Sequence, residues 1–375
     1  MLKGLNFFDP ANLSLRQWDD PLIVFPGMTI FFIPFTLFNI STGKIIYYLL
    51  SIAAAVYVFQ LCFNLVGLKE KLNLKSPNAI SWLWLGSFFI YINSSPTIMC
   101  LRHGQSPVWT ALGIMLLFKL KNPISQATAL GLTALMKYTM ITALAPVLFF
   151  KRKFNLCITG FIIFLILSIY PLFFGLDLVE IYCEYFSVTD DNIATGFNSF
   201  AVSGYNMIDF SFFKNSLINT VGIFTFWAIL LWVIWRERKT DRFSLNLLLF
   251  LFAVTIPLSY HRLYDCGLLN ALLLIKLIFL MQRRSWGHAI FCGGFIAFWL
   301  IPFSIILEIS NIIGKTLPFL NKIFFFNSYG NYNQIFPLTA IMMTALTIYL
   351  LILYIYGKTD CELRLPTKEG KENVN

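Results

Sequence analysis

Residues 104–153 read GQSPVWTALGIMLLFKLKNPISQATALGLTALMKYTMITALAPVLFFKRK, and how this stretch crosses a bilayer decides the fold. Between Lys121 and Lys151 lies an apolar run, 124–150, that carries a single charge, Lys137, at its middle. One straight helix would deliver Lys151-Arg152-Lys153 to the face opposite Lys119 and Lys121. Short basic loops collect on the cytoplasmic face, so that arrangement breaks the rule. Two half-length helices turning at Lys137 return the triplet to the same face. Each half has about 13 residues, or about 20 Å of helix at 1.5 Å per residue, against a hydrocarbon core of about 30 Å. The Lys137 turn is therefore expected at membrane depth, near the outer surface, where ionisable groups are costly and kept for function.

The rest of the chain fits that frame. Of its 375 residues 58% are hydrophobic and only 12% charged, and the mean hydropathy is +0.73. A soluble domain carries roughly 25% charge, so this chain needs lipid around it. The net charge of +10 does not mark a nucleic-acid binder, because the basic residues sit in short loops between apolar runs. The seven cysteines are scattered with no CxxC pair, which gives neither a disulfide framework nor a zinc site.

The expected fold class is all-α: a polytopic bundle of about 11 membrane helices plus a segment at 22–39 broken by Pro26 and Pro34, which lies at the interface. Spans are expected at about 45–66, 79–100, 106–118, the two halves of 124–150, 154–174, 217–235, 243–260, 264–281, 287–308 and 335–356. Domain 1–356 is then the membrane body, with residues 1–44, 175–215 and 309–334 outside it, and 357–375 is a mobile cytoplasmic tail. Lys69–Lys75, Arg236–Arg242, Arg283/Arg284 and Lys358 all fall inside. The location is the cell membrane, multi-pass, with the chemistry facing outward.

Candidate residues gather on the outer side. Arg102-His103-Gly104-Gln105 forms a turn in which Gly permits a tight bend and Gln offers donor and acceptor; an ordinary polar turn explains it equally well. Lys137 is a point charge suited to a phosphate, against the plainer reading of a lysine reaching to the interface. Ser259-Tyr260-His261-Arg262 ends one span, with Asp265 in the next. Its His/Arg pair suits an anionic group, and its residues also suit interfacial anchoring. The loop from Asp190 to Asn206, with Asn198 and Ser199, has the amides and rings that bind sugars, as many solvated loops do. Asp9, Asp19 and Asp20 are carboxylates near the membrane, candidates for a general base, though isolated surface carboxylates are commoner. Arg102, His103, Lys137, His261 and Arg262 together suit a lipid whose head is a phosphate.

In their order these elements resemble glycosyltransferase family 87, integral-membrane enzymes of the GT-C fold group. The quoted stretch resembles the family's run of Gly-Gln turn, short helix, small-residue helix, Lys, Pro-containing helix and basic stop, here Gly104, Gln105, Lys137, Pro146 and Lys151–Lys153. GLNFFDPANL resembles the family's Gly-Asn-x-Tyr-Asp-Pro loop, with Gly4, Asn6, Asp9 and Pro10, and residues 21–34 resemble the Pro-rich segment that follows it. Asn198-Ser199 resembles an outer Asn-Ser motif, and IPLSYHRLYD a Ser-Pro-aromatic-His motif.

The resemblance implies transfer of mannose or a related hexose from a polyprenyl-phosphate donor to a lipid or glycan acceptor. Lys137, His261, Arg262, Arg102 and His103 would hold the donor phosphate, and Gly104, Gln105, Asn198 and Ser199 would shape the site. It implies no cofactor beyond the donor substrate, leaves a divalent metal open, and gives membrane lipid, donor and acceptor as partners. It places the base Asp after a leading helix, upstream of the element at which this chain begins. The leading helix and the base are therefore expected to be absent from it, and the catalytic residue stays unassigned, with Asp9, Asp19 and Asp20 as substitutes. The alternatives are a transporter or flippase of a lipid-linked glycan, for which no internal repeat is found, and a truncated, inactive paralogue.

Overall fold

The computed structural model describes residues 26–68, 72, 76–102, 105–183, 185, 213–240, 242–258, 263–324, 327–329, 332–335, 337–357 and 362–365. Within them the chain is a helical bundle with two small antiparallel strand pairs. A 3-10 segment, Pro26–Leu37, comes first. It packs through Ile30 and Ile33 on Tyr170, Leu176, Ile181 and Tyr185. Tyr182 at the edge of this cluster donates to Ser168 O at 2.8 Å, and burial pushes its phenol above the usual range.

The helices follow in order. They are α1 Ile40–Leu65, α2 Pro77–Ile92, α3 Ser95–Arg102, α4 Pro107–Lys119, α5 Pro123–Lys137, α6 Leu144–Phe150, α7 Phe154–Ser168, α8 Ser216–Glu237, α9 Leu245–Leu258, α10 Gly267–Gln282, α11 Trp286–Leu300, α12 Phe303–Thr316 and α13 Leu338–Tyr356. Strands β1 Arg242–Ser244 and β4 Glu362–Arg364 pair antiparallel, as do β2 Asn327–Tyr329 and β3 Tyr332–Ile335.

The centre is α9. Its sequence, LNLLLFLFAVTIPL, is apolar on every side, and a helix of that kind must be surrounded. Every residue from Leu245 to Pro257 is buried, packed against α8, α10 and α13. Thr347 Oγ1 of α13 donates to Ala253 O at 3.2 Å, and Asn246 Nδ2 donates to Leu353 O at 3.0 Å. The outer helices are apolar on the outside too. On α8, Leu217, Phe224 and Leu231 form an exposed stripe, each 60% exposed or more, where a soluble helix would carry charge. This surface is built for lipid.

By length and composition four described helices can cross a membrane: Ser41–Leu65, Phe154–Phe174, Ser216–Glu237 and Leu338–Tyr356. Two bent pairs raise that to six: 123–150, bent by 108°, and 286–316, bent by 104°. The other apolar segments of the described residues are shorter helices, which stand where the expected 11 or so membrane helices include a short one and two half-length ones.

Two of the expected spans are broken, and two expected loop or tail segments carry regular structure. The span at 79–100 is broken after Asn93, which caps α2, and Pro96 starts α3 in its first turn, where the missing N–H costs nothing. The span at 287–308 is broken at Ile301-Pro302. Proline disfavours helical geometry in the residue before it, and Ile301 is extended, with φ −69° and ψ 128°. The expected loop 309–334 holds the end of α12, a 3-10 turn Pro318–Lys322 and the β2–β3 hairpin. The tail is also ordered at Glu362–Arg364, where alternation buries Leu363 and Leu365 beside β1.

The loops sort into two ends. At one, Lys151 reaches across to Glu237, Thr240 and Arg242, and β1 meets β4. At the other, Ser95 Oγ donates to Ile301 O at 2.6 Å and Ser106 Oγ contacts Met136 O at 3.5 Å. α9 runs from the first end to the second, about 21 Å for its 14 residues.

Candidate functional site

The α-helix ends at Lys137, where the half-helix reading sets the turn, and the chain bends by 108° one turn later, between Ile141 and Leu144. A single helix through 137–150 would set Pro146 mid-helix and remove its bond to the Thr142 carbonyl. Starting α6 at Leu144 instead puts Pro146 in the first turn. The joint is a 3-10 turn, Tyr138–Ile141, and Lys137 itself leaves helical geometry at φ −160°, ψ 88°. Thr142 Oγ1 donates to Thr139 O at 2.8 Å, taking up a carbonyl that the break frees.

Helix α5 is held by small residues. A Cβ on Gly131 would come within 2.6 Å of Gly160 O on α7, and one on Gly113 of α4 would collide with Thr133 Oγ1 of α5. α5 and α7 thus touch backbone to backbone, and α4 packs on α5 through the Thr133 hydroxyl. Asn122 Oδ1 caps α5 by accepting from Ile124 N at 2.9 Å. The far end of this clamped helix presents Lys137.

Lys137 Nζ donates to both carboxylate oxygens of Asp265, each at 2.6 Å. The Asp265 side chain is fully buried, and 17% of the Lys137 side chain is exposed. Asp265 sits in the 3-10 turn Leu263–Cys266 that opens α10. That turn packs on α3, whose last residue, Arg102, is exposed. Gln105 N donates to Cys100 O at 2.9 Å, closing the turn after α3 beneath the Lys137 joint. One end of the bundle therefore gathers the α3–α4 turn, the α5 break and the start of α10. Among the described residues, buried polar atoms without a partner occur on the same two segments: Thr139 Oγ1, two residues past Lys137, and both amide atoms of Asn270, five past Asp265. Such atoms cost about 1–3 kcal/mol each.

Of the residues read from sequence, Lys137, Arg102 and Gln105 are placed. His103, Gly104, Asn198, Ser199, His261, Arg262, Asp9, Asp19 and Asp20 lie outside the described residues. The sequence reading noted Asp265 but gave it no part. An acid at the head of an apolar helix was the available signal. Lys276, buried within α10, was passed over as well. Among the described residues no group of three or more His, Cys, Asp or Glu side chains is placed to hold a metal ion.

Both oxygens of Asp265 accept from the Lys137 ammonium, and the side chain is screened from solvent. It stabilises and orients Lys137, and it is poorly placed to take a proton from an incoming hydroxyl. The Lys137 side chain is 17% exposed.

Comparison with curated proteins and with solved structures gave no match. The model of glycosyltransferase family 87 matches residues 26–258, more than half of the chain. The match takes in the α3–α4 turn, the clamped helix α5 and Lys137. The chain belongs to glycosyltransferase family 87.

Proposed function

We propose that this protein transfers a hexose, mannose first among the candidates, from a polyprenyl-phosphate donor to a lipid or glycan acceptor on the extracytoplasmic side of the cell membrane. The observation that carries the reading is the Lys137 ammonium, set at a helix break and bound to buried Asp265, in a chain of a glycosyltransferase family. In the sequence His261 and Arg262 stand just before Asp265. Lys137, His261 and Arg262 together suit a lipid-linked phosphate.

In the reaction the acceptor hydroxyl attacks the anomeric carbon. The bond from that carbon to the phosphate oxygen breaks, and its electron pair leaves with the phosphate. The hydroxyl proton goes to a base; the substitutes read from sequence, Asp9, Asp19 and Asp20, lie outside the described residues. Charge develops on the departing phosphate, and fixed cations there act where stabilisation speeds the step most.

The test is Lys137→Ala in the full-length protein, reconstituted in liposomes with a polyprenyl-phosphate hexose. Transfer should fall to background while the protein still elutes as a folded species. Wild-type rates in that variant would overturn the assignment.

A further inference from the structure

Resting on that reading of Lys137, the geometry points to a role for Asp265 in setting the charge of the phosphate site: we propose that its carboxylate, bound through both oxygens to the Lys137 ammonium, keeps the site selective for a singly charged phosphate and so lets the doubly charged product leave. The donor is a phosphodiester and carries one negative charge. When the anomeric carbon–oxygen bond breaks, the lipid keeps a phosphomonoester, whose second ionisation lies near pH 6. The same cations that hold the donor would hold this product more tightly and slow turnover.

A buried carboxylate fixed on the ammonium opposes that. With an effective dielectric near 20, one unit charge at about 6 Å alters anion affinity by on the order of a hundredfold. Asp265 is suited to the part because its side chain is fully buried. Water does not screen it, and it cannot swing away without abandoning the pair. It is a positioning residue, acting on the phosphate through Lys137.

The test measures binding, at pH 8, of a short-chain polyprenyl phosphate and of its methyl ester to the full-length protein in nanodiscs. For the wild type the two should bind within about threefold of each other. In Asp265→Asn the monoester should gain at least tenfold over its methyl ester. A wild-type preference of tenfold or more for the monoester would overturn the proposal, and so would an Asp265→Asn variant that is folded and shows no gain. Should that variant not fold, the wild-type comparison decides alone. Lys137→Met separates the two layers. Weakened binding of both probes leaves the phosphate reading standing whatever Asp265 does, and unchanged binding removes that reading and this inference with it.

Discussion

Lys137 and Asp265 are 128 positions apart in the chain, yet both carboxylate oxygens of the acid lie 2.6 Å from the lysine Nζ. A pair this buried makes a specific stability pattern. Removing either partner alone strands a charge or forces it to neutralise, at about 3–5 kcal/mol. Replacing both by apolar side chains of similar size is near neutral. Lys137→Met and Asp265→Leu should each lower the melting temperature, and the double variant should recover most of the loss. Additive losses in that cycle, read by thermal unfolding in detergent, would mean that the two side chains do not act as a pair.

Gly131 is the second lever. Valine there would drive its Cβ to within 2.6 Å of Gly160 O, so α5 must move away from α7. A cost of about 1–3 kcal/mol is expected, together with reduced transfer, because Lys137 rides on the displaced helix. Wild-type stability and rate for Gly131→Val would show that the close packing does not set the lysine's position.

Lys151 tests the opposite end. Its ammonium, fully buried, meets Glu237 Oε2 at 3.0 Å, Thr240 O at 2.7 Å, Thr240 Oγ1 at 2.6 Å and Arg242 O at 3.0 Å. It also donates to Glu237 O, the last carbonyl of α8, at 3.1 Å, and ties the loop that follows that helix. Lys151→Met should destabilise by about 3–5 kcal/mol and leave the donor KM unchanged below the melting temperature. A raised KM with intact stability would contradict this purely structural part.

Sidedness can be read from the native cysteines. Cys183 is exposed, whereas Cys62, Cys100, Cys266 and Cys292 are buried. With Cys157 and Cys361 changed to Ser, a membrane-impermeant maleimide should label Cys183 on intact cells. Labelling only after permeabilisation would place the 175–215 segment, and the proposed site with it, on the inner side.

Much of this was legible in the sequence because it follows from charge and length. The rule that gathers lysines on one side required 124–150 to fold back at Lys137; the α-helix ends there and the 108° bend follows one turn later, between Ile141 and Leu144, with Pro146 supplying its local cause. The bend at Ile301-Pro302 was equally available in the residue before a proline, but unbroken hydropathy across 287–308 hid it. Asp265 was not legible as a partner. Nothing local links a lysine at the end of α5 to an acid 128 residues on; the packing of α9 against both the Tyr138–Ile141 and Leu263–Cys266 turns, with α3 on the latter, brings them together. The same holds for Lys151, read as a basic stop and found as a cap for another helix.

The central claim is that Lys137 holds the donor phosphate, and transfer from a polyprenyl-phosphate hexose in proteoliposomes tests it most directly. The informative protein is the Lys137→Met, Asp265→Leu double variant, whose stability should stay close to wild type, so that lost activity is not lost folding. A kcat/KM lower by roughly 10²–10³-fold or more is expected for a cation that stabilises the leaving phosphate. A folded double variant transferring sugar within about threefold of the wild-type rate would contradict the account.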